Sequence, residues 1–207
     1  MGKHSQSIDN KIIYRIYGHG RGWVFTRADF SDLGSRDAVA SALKRYRHSG
    51  RIRQLARGLY DWPRIDSKLG ILTPSPDAIA RALAGRDASR LQPSGAYAAN
   101  LLGLSTQVPM KIVYLTDGSS HTVQIGKKQI ILKRTTPRNM ATAGRISGSI
   151  IQALRHLGRQ HVDDDVILQL DRRLDADARK QLLRDSRFAP TWIADIMRQL
   201  GNKKETE

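Results

Sequence analysis

Two adjoining stretches concentrate the side chains able to do chemistry, SRDAVASALKRYRHSG (35–50) and RIRQLARGLYDWP (51–63). In the first, Val39, Leu43 and Tyr46 repeat at a spacing of four then three, with Ala38 and Ala42 beside them, which predicts a helix with one buried face. Ser35 is its expected cap, Asp37 stands in the first turn where the helix dipole favours a carboxylate, and Gly50 ends it. The other faces carry Arg36, Ala40, Ser41, Lys44, Arg45, Arg47 and His48. A major groove admits such a helix, small residues let its backbone approach, and the arginine fork matches guanine through two parallel hydrogen bonds. Ser35, Arg36, Ala40, Ser41 and Lys44 are therefore the base-edge candidates, with Arg36 foremost, and Arg45 and Arg47 are phosphate candidates.

The second stretch reads as a strand, a turn at Arg57 and Gly58, and a returning strand. Arg51, Arg53 and Arg57 suit phosphates, whereas Ile52, Leu55, Leu59, Tyr60 and Trp62 suit contacts that seat the hairpin on the helices. Neutralising about five phosphates would give log affinity a slope of about −4 to −5 against log salt. A second basic cluster joins Lys127 and Lys128 to Lys133, Arg134 and Arg138. It can extend a nucleic-acid surface, meet an acidic protein, or serve only as a solvated strand end.

Other chemistry is missing. The chain has no cysteine, which removes disulfides, thiolate metal sites and cysteine nucleophiles together. His156 and His161 stand five apart near Asp163, Asp164 and Asp165, but that is not a same-face helical spacing and Gly158 interrupts it. The aspartates read more simply as the cap of a following helix. Neither a nucleophile elbow, a phosphate-binding glycine loop nor a dinucleotide fingerprint is present. We expect no metal, no cofactor and no enzymatic activity.

These stretches need elements to hold them. SIDNKIIYRIY (7–17) predicts an amphipathic helix ended by GHGRG, WVFT (23–26) a short strand, and TRADFSDLG (26–34) a short helix capped by Thr26. Helix, strand, short helix, basic helix and hairpin is the order of a winged helix-turn-helix domain. RIDSKLG (64–70) reads as a linker, so the expected domains are 1–66, binding DNA, and 67–207. In the second, helices are expected at 73–86, with Ser75 as cap, and at 91–105, with Ser94 as cap. Strands at 111–117, 121–126 and 128–135 suggest an antiparallel β-meander over about 108–136, and residues 145–200 read as helical. The fold class is α+β, and the NKKETE tail reads as disordered.

Charge points the same way as the motifs. The net charge is +16; residues 1–66 carry 13 basic and 6 acidic side chains, residues 67–144 carry 10 and 3, and residues 145–207 carry 12 and 10. An excess over the first two thirds attracts polyanions, nucleic acid above all, although a basic surface kept for solubility has the same composition. With no leader-like apolar core and no apolar run long enough to span a bilayer, a soluble cytoplasmic protein is expected.

Beyond these patterns, ARGLYDWP (56–63), PDAIARAL (76–83), QPSGAYAANLLGLSTQVP (92–109), KIVYLTDG (111–118) and KRTTPRNM (133–140) resemble the AbiE-class antitoxins of type IV toxin-antitoxin and abortive-infection systems, the AbiEi-like family. The likeness spans nearly the whole chain. It implies a bacterial antitoxin with an N-terminal winged-helix domain and a C-terminal antitoxin domain. Such proteins bind inverted repeats in their own promoter, repress the operon cooperatively, and counter a nucleotidyltransferase-like toxin without necessarily binding it. The expected partners are thus double-stranded operator DNA and a cognate toxin, with the protein a monomer or a cooperative assembly on DNA, and no membrane. A module that masks the toxin by direct binding, or a solitary regulator without a toxin, remain alternatives.

Overall fold

The computed structural model describes residues 7–85 and 90–203 of the 207-residue chain. It is a mixed α+β protein that divides into two compact units, residues 1–89 with 123–126, and residues 90–122 with 127–207. The division falls later than the expected 66/67 boundary. The segment expected to be a linker instead folds into a small hairpin, β4 (Ile65–Asp66) and β5 (Gly70–Ile71), turned by Asp66 as its carboxylate accepts from the Lys68 and Leu69 amides. These bonds hold the Asp66 carboxyl below the usual carboxylate range. The following helix, α3 (Pro76–Ala84), keeps its expected Ser75 cap and groups with the first unit.

The first unit begins with α1 (Ile8–His19), β1 (Val24–Thr26), a 3-10 turn (Arg27–Phe30) and α2 (Arg36–His48), followed by the hairpin β2 (Arg53–Ala56) and β3 (Leu59–Asp61). Periodicity explains the core: α1 buries Ile12, Ile13 and Ile16, and α2 buries Val39, Ala42, Leu43 and Tyr46. Phe25 and Phe30 fill the space between, with rings edge to face at 5.4 Å. Burying side chains of this size stabilises by about 1.5–3 kcal/mol each. Tyr60 and Trp62 pack against this core rather than standing clear of it. The strands form one antiparallel sheet in the order β1-β3-β2, and the register slips between Gln54 and Ala56, so the hairpin is irregular just before its turn.

A four-stranded sheet of order β6-β7-β9-β8, belonging to the second unit except for residues 123–125, joins β6 (Leu91–Ser94), β7 (Lys111–Thr116), β8 (His121–Ile125) and β9 (Lys128–Arg134). This corrects two expectations. β7 and β9 are parallel neighbours, with Ile112 beside Ile130 and Tyr114 beside Leu132, so the strands do not run as an antiparallel meander. The reason is burial: these four side chains are almost wholly enclosed, whereas the mostly polar β8 is left to the edge. Residues 91–94, at the start of the stretch expected to hold a helix, form a strand, and α4 begins after Ser94 as expected but covers only Gly95–Leu101. Ser94 accordingly makes no side-chain cap; its hydroxyl donates to Gln152.

Helices α5 (Pro137–Met140), α6 (Ile146–Leu157), α7 (Asp164–Asp171), α8 (Ala176–Asp185) and α9 (Thr191–Asn202) complete the unit as a helical C-terminal part. Among the described residues no helix is long and apolar enough to cross a membrane. Most of the tail expected to be disordered lies outside the described residues.

Candidate nucleic-acid interface

The interface is built on α2. Ser35 caps it by accepting from the Ala38 amide, and a turn fastened at both ends leads into it. At one end the Asp29 carboxylate accepts from the amide and hydroxyl of Thr26. At the other the Arg15 fork donates to both carboxylate oxygens of Asp32, each at 2.7 Å, and to the Asp29 carbonyl. The pairing raises the Arg15 pKa. At Gly34 the turn runs so close to α1 that a Cβ would stand 2.6 Å from Ile8 Cδ1. The start of α2 is thereby fixed in direction before any ligand arrives.

With about 3.6 residues per turn, the buried line of Val39, Ala42, Leu43 and Tyr46 assigns every other position of α2 to a flank or to the outward line. One flank carries Arg36, Ala40 and Arg47, the outward line carries Ser41, Lys44 and His48, and the opposite flank carries Arg45. That opposite flank is tied to α1: the Arg45 guanidinium donates to both oxygens of Asp9 at 2.8 and 2.6 Å, and the Tyr46 hydroxyl donates to the Asp9 carbonyl. The carboxylate raises the Arg45 pKa. Tyr46, partly desolvated, is held above the ordinary phenol value with Asp9 adding to the effect.

Geometry separates the arginines that sequence grouped together. Arg45 is spent on Asp9, and Arg53 is spent on Asp61, whose carboxylate is 1% exposed and accepts from Arg53 at 3.0 and 2.6 Å. Arg53 also donates to the Leu72 carbonyl, fastening the hairpin base to the chain beyond it. Neither arginine is available to phosphate without giving up a carboxylate. Arg47 donates to the uncharged Gln54 side chain, and Arg51 lies over the Tyr46 ring at 5.9 Å, so both keep their charge unneutralised. Arg36, Lys44 and Arg57 are exposed, and no described residue pairs with them.

A cavity of about 560 Å3 opens between the start of α2 and the hairpin turn, lined in part by Thr26, Arg27, Ser31, Gly34, Arg36 and Gly58. It brings together Arg36 and Gly58, which sequence had proposed separately. Arg27, likewise unpaired among the described residues, was missed. Its signal lay in its position, a cation at the first residue after Thr26 in the turn that leads into α2.

The second basic cluster does not come together. Lys127 and Lys128 stand at one end of β9 and Lys133 and Arg134 at the other, about 16 Å apart at the usual strand rise. All are exposed. Arg138, in α5, shares its surroundings with Arg155, whose pKa is lowered by desolvation and then by the Arg138 charge. Elsewhere His161 donates to the Leu157 carbonyl and Asp163 caps α7, so both have structural work.

A model for a family of unknown function (DUF6088) matches residues 11–182. The chain belongs to that family. No curated protein matches it. The DUF6088 match runs from within α1 into α8, and therefore takes in α2, the β2–β3 hairpin and the parallel pair β7 and β9.

Proposed function

We propose that the first unit is a winged helix-turn-helix domain that binds double-stranded DNA, and that the chain represses transcription by occupying operator repeats in its own promoter. The observation that carries this reading is the sorting of charge around the cavity. Arg27, Arg36, Lys44 and Arg57 keep cations that no described residue pairs with, around α2 and the hairpin turn, while Arg45 and Arg53, bound to Asp9 and Asp61, build the frame. The element order supports it: α2 takes the role of the reading helix, and the β2–β3 hairpin that of the wing.

With α2 in the major groove and the wing over the neighbouring backbone or minor groove, the sugar-phosphate ridge between the grooves runs through the cavity. Arg27 meets that ridge from below, and Arg47, Arg51 and Arg57 meet it from the helix end and the wing. Arg36, Ala40, Ser41 and Lys44 face base edges, with the Arg36 fork on guanine. Four phosphate contacts, instead of the five expected from sequence, give a slope of about −3.6 in log affinity against log salt. Anisotropy titrations of promoter and scrambled duplexes over a salt series test this; equal affinity for both would remove the reading role of α2.

The wider reading, a bacterial type IV antitoxin of the AbiEi kind in the cytoplasm, rests on the resemblance of the quoted segments. Under it the chain counters a nucleotidyltransferase-like toxin, and growth rescue during co-expression with the neighbouring gene product tests it. One observation favours direct toxin masking as a second reading: Val108 and Met110 are exposed next to Lys111, an apolar and cationic edge able to hold a partner. Co-purification with the toxin separates the two, and rescue without co-purification excludes masking.

A further inference from the structure

Within α2 there is one acidic side chain, Asp37. It is exposed, pairs with no described residue, and lies on the outward line with Ser41, Lys44 and His48, diametrically opposite the buried line. A first-turn carboxylate complements the helix dipole, but Ser35 already caps this end, and the dipole does not require the acid to face outward. On a DNA-facing surface the outward line goes deepest into a groove walled by phosphates, so a carboxylate there weakens binding to any duplex. Only an amino donor on a base edge repays that repulsion. A carboxylate has acceptors alone, and cytosine presents its N4 amino group as a lone donor, whereas adenine sets the acceptor N7 beside its own amino group.

We propose that Asp37 is a specificity-determining residue, accepting a hydrogen bond from a cytosine N4 amino group beside the guanine met by Arg36 and rejecting other sequences by repulsion. This inference rests on the DNA-binding reading above. In it Arg36 and Asp37 work as a donor and acceptor pair: the arginine supplies attraction, and the carboxylate supplies a penalty that one base lifts.

Selection of duplexes from a randomised pool by the full chain and by Asp37→Ala and Asp37→Asn, followed by titration on the selected and a scrambled duplex, tests it. For Asp37→Ala the scrambled duplex should bind about 3-fold tighter as repulsion is removed. Discrimination at one cytosine-containing pair should fall about 10-fold, with the others unchanged. Asp37→Asn should move the preference at that pair towards adenine, because an amide both accepts from N6 and donates to N7. Asp37→Ala that weakens both duplexes equally, or leaves the preference at every pair intact, overturns the proposal. An unsubstituted chain that binds no duplex, or all alike, fails the DNA-binding reading itself before any variant is measured.

Discussion

In the second unit Arg145 pairs with the buried Asp185, which also accepts from Ser147, and Arg179 and Lys203 converge on Asp171, so that cation and carboxylate together fasten α6, α7, α8 and the end of α9. The first unit builds its frame the same way, with Arg15 on Asp32, Arg45 on Asp9 and Arg53 on Asp61, but Asp37 in α2 takes no described cation and Asp66 accepts from backbone amides. Among the described residues Arg27, Arg36, Lys44 and Arg57, around α2 and the hairpin turn, take no acid. Whether an arginine here belongs to the frame or stays free at the surface depends less on its type than on whether the fold supplies an acid to it. In a region with 13 basic and 6 acidic side chains, that supply is what sorts frame from surface.

The sharpest attempt to break this contrast is Arg53→Ala. It leaves the Asp61 carboxylate buried without its cation and should cost about 3 kcal/mol of unfolding free energy. Chemical denaturation measures the loss, and Arg53→Met with Asp61→Leu should recover most of it; unchanged stability with lost DNA binding would move Arg53 into the free set. Arg36→Ala should show the opposite profile, with stability unchanged and promoter binding weakened by about 2 kcal/mol at one base pair. Titration against single-base promoter variants reads this directly. Arg27→Ala should cost about 1 kcal/mol on promoter and scrambled duplex alike and make the salt slope shallower by about one.

The smallest effect belongs to the second unit. Lys203, followed by Arg179, holds the Asp171 carboxyl below its usual range, so this stabilisation is fully present above the unfolded value near ~3.9 and is lost as pH falls through the lowered folded value. Lys203→Ala should therefore cost about 0.5 kcal/mol at neutral pH, the partly exposed pair being screened by solvent. The cost should vanish below both values. Paired denaturation curves taken from pH 7 into acid check it, and a cost that stays constant over the whole series would assign the effect to packing.

Sequence carried the local part of this structure well. The caps at Ser35 and Ser75, the buried lines of α1 and α2, and the turn at Gly58 are all decided within a few residues and were legible as such. Partner choice was not. Alternation marks β7 and β9 as strands but does not say that they pair with each other and leave the more polar β8 at the edge. Likewise nothing near Arg45 signals Asp9, 36 residues away, although helical angle alone would have set Arg45 on the flank opposite Arg36. Arg53 and Asp61 meet across a hairpin whose register slips, which spacing does not reveal. Arg27 stayed hidden because a cavity is a property of the closed fold.

The segments on which the resemblance rests are mostly scaffold. In ARGLYDWP, Leu59 is buried and Tyr60 and Trp62 pack on the core; in SGAYAANLLGLS and VYLTDG, Tyr97 and Tyr114 are buried with rings 5.5 Å apart. Of the side chains proposed to face base edges, Ser41 and Lys44 lie opposite the buried line of α2 and Arg36 and Ala40 on its flank. Addressing and architecture are therefore written in separate letters. Under the DNA-binding reading proposed above, one chassis could serve many mutually insulated switches, each re-aimed by exchanging a few exposed residues of a single helix.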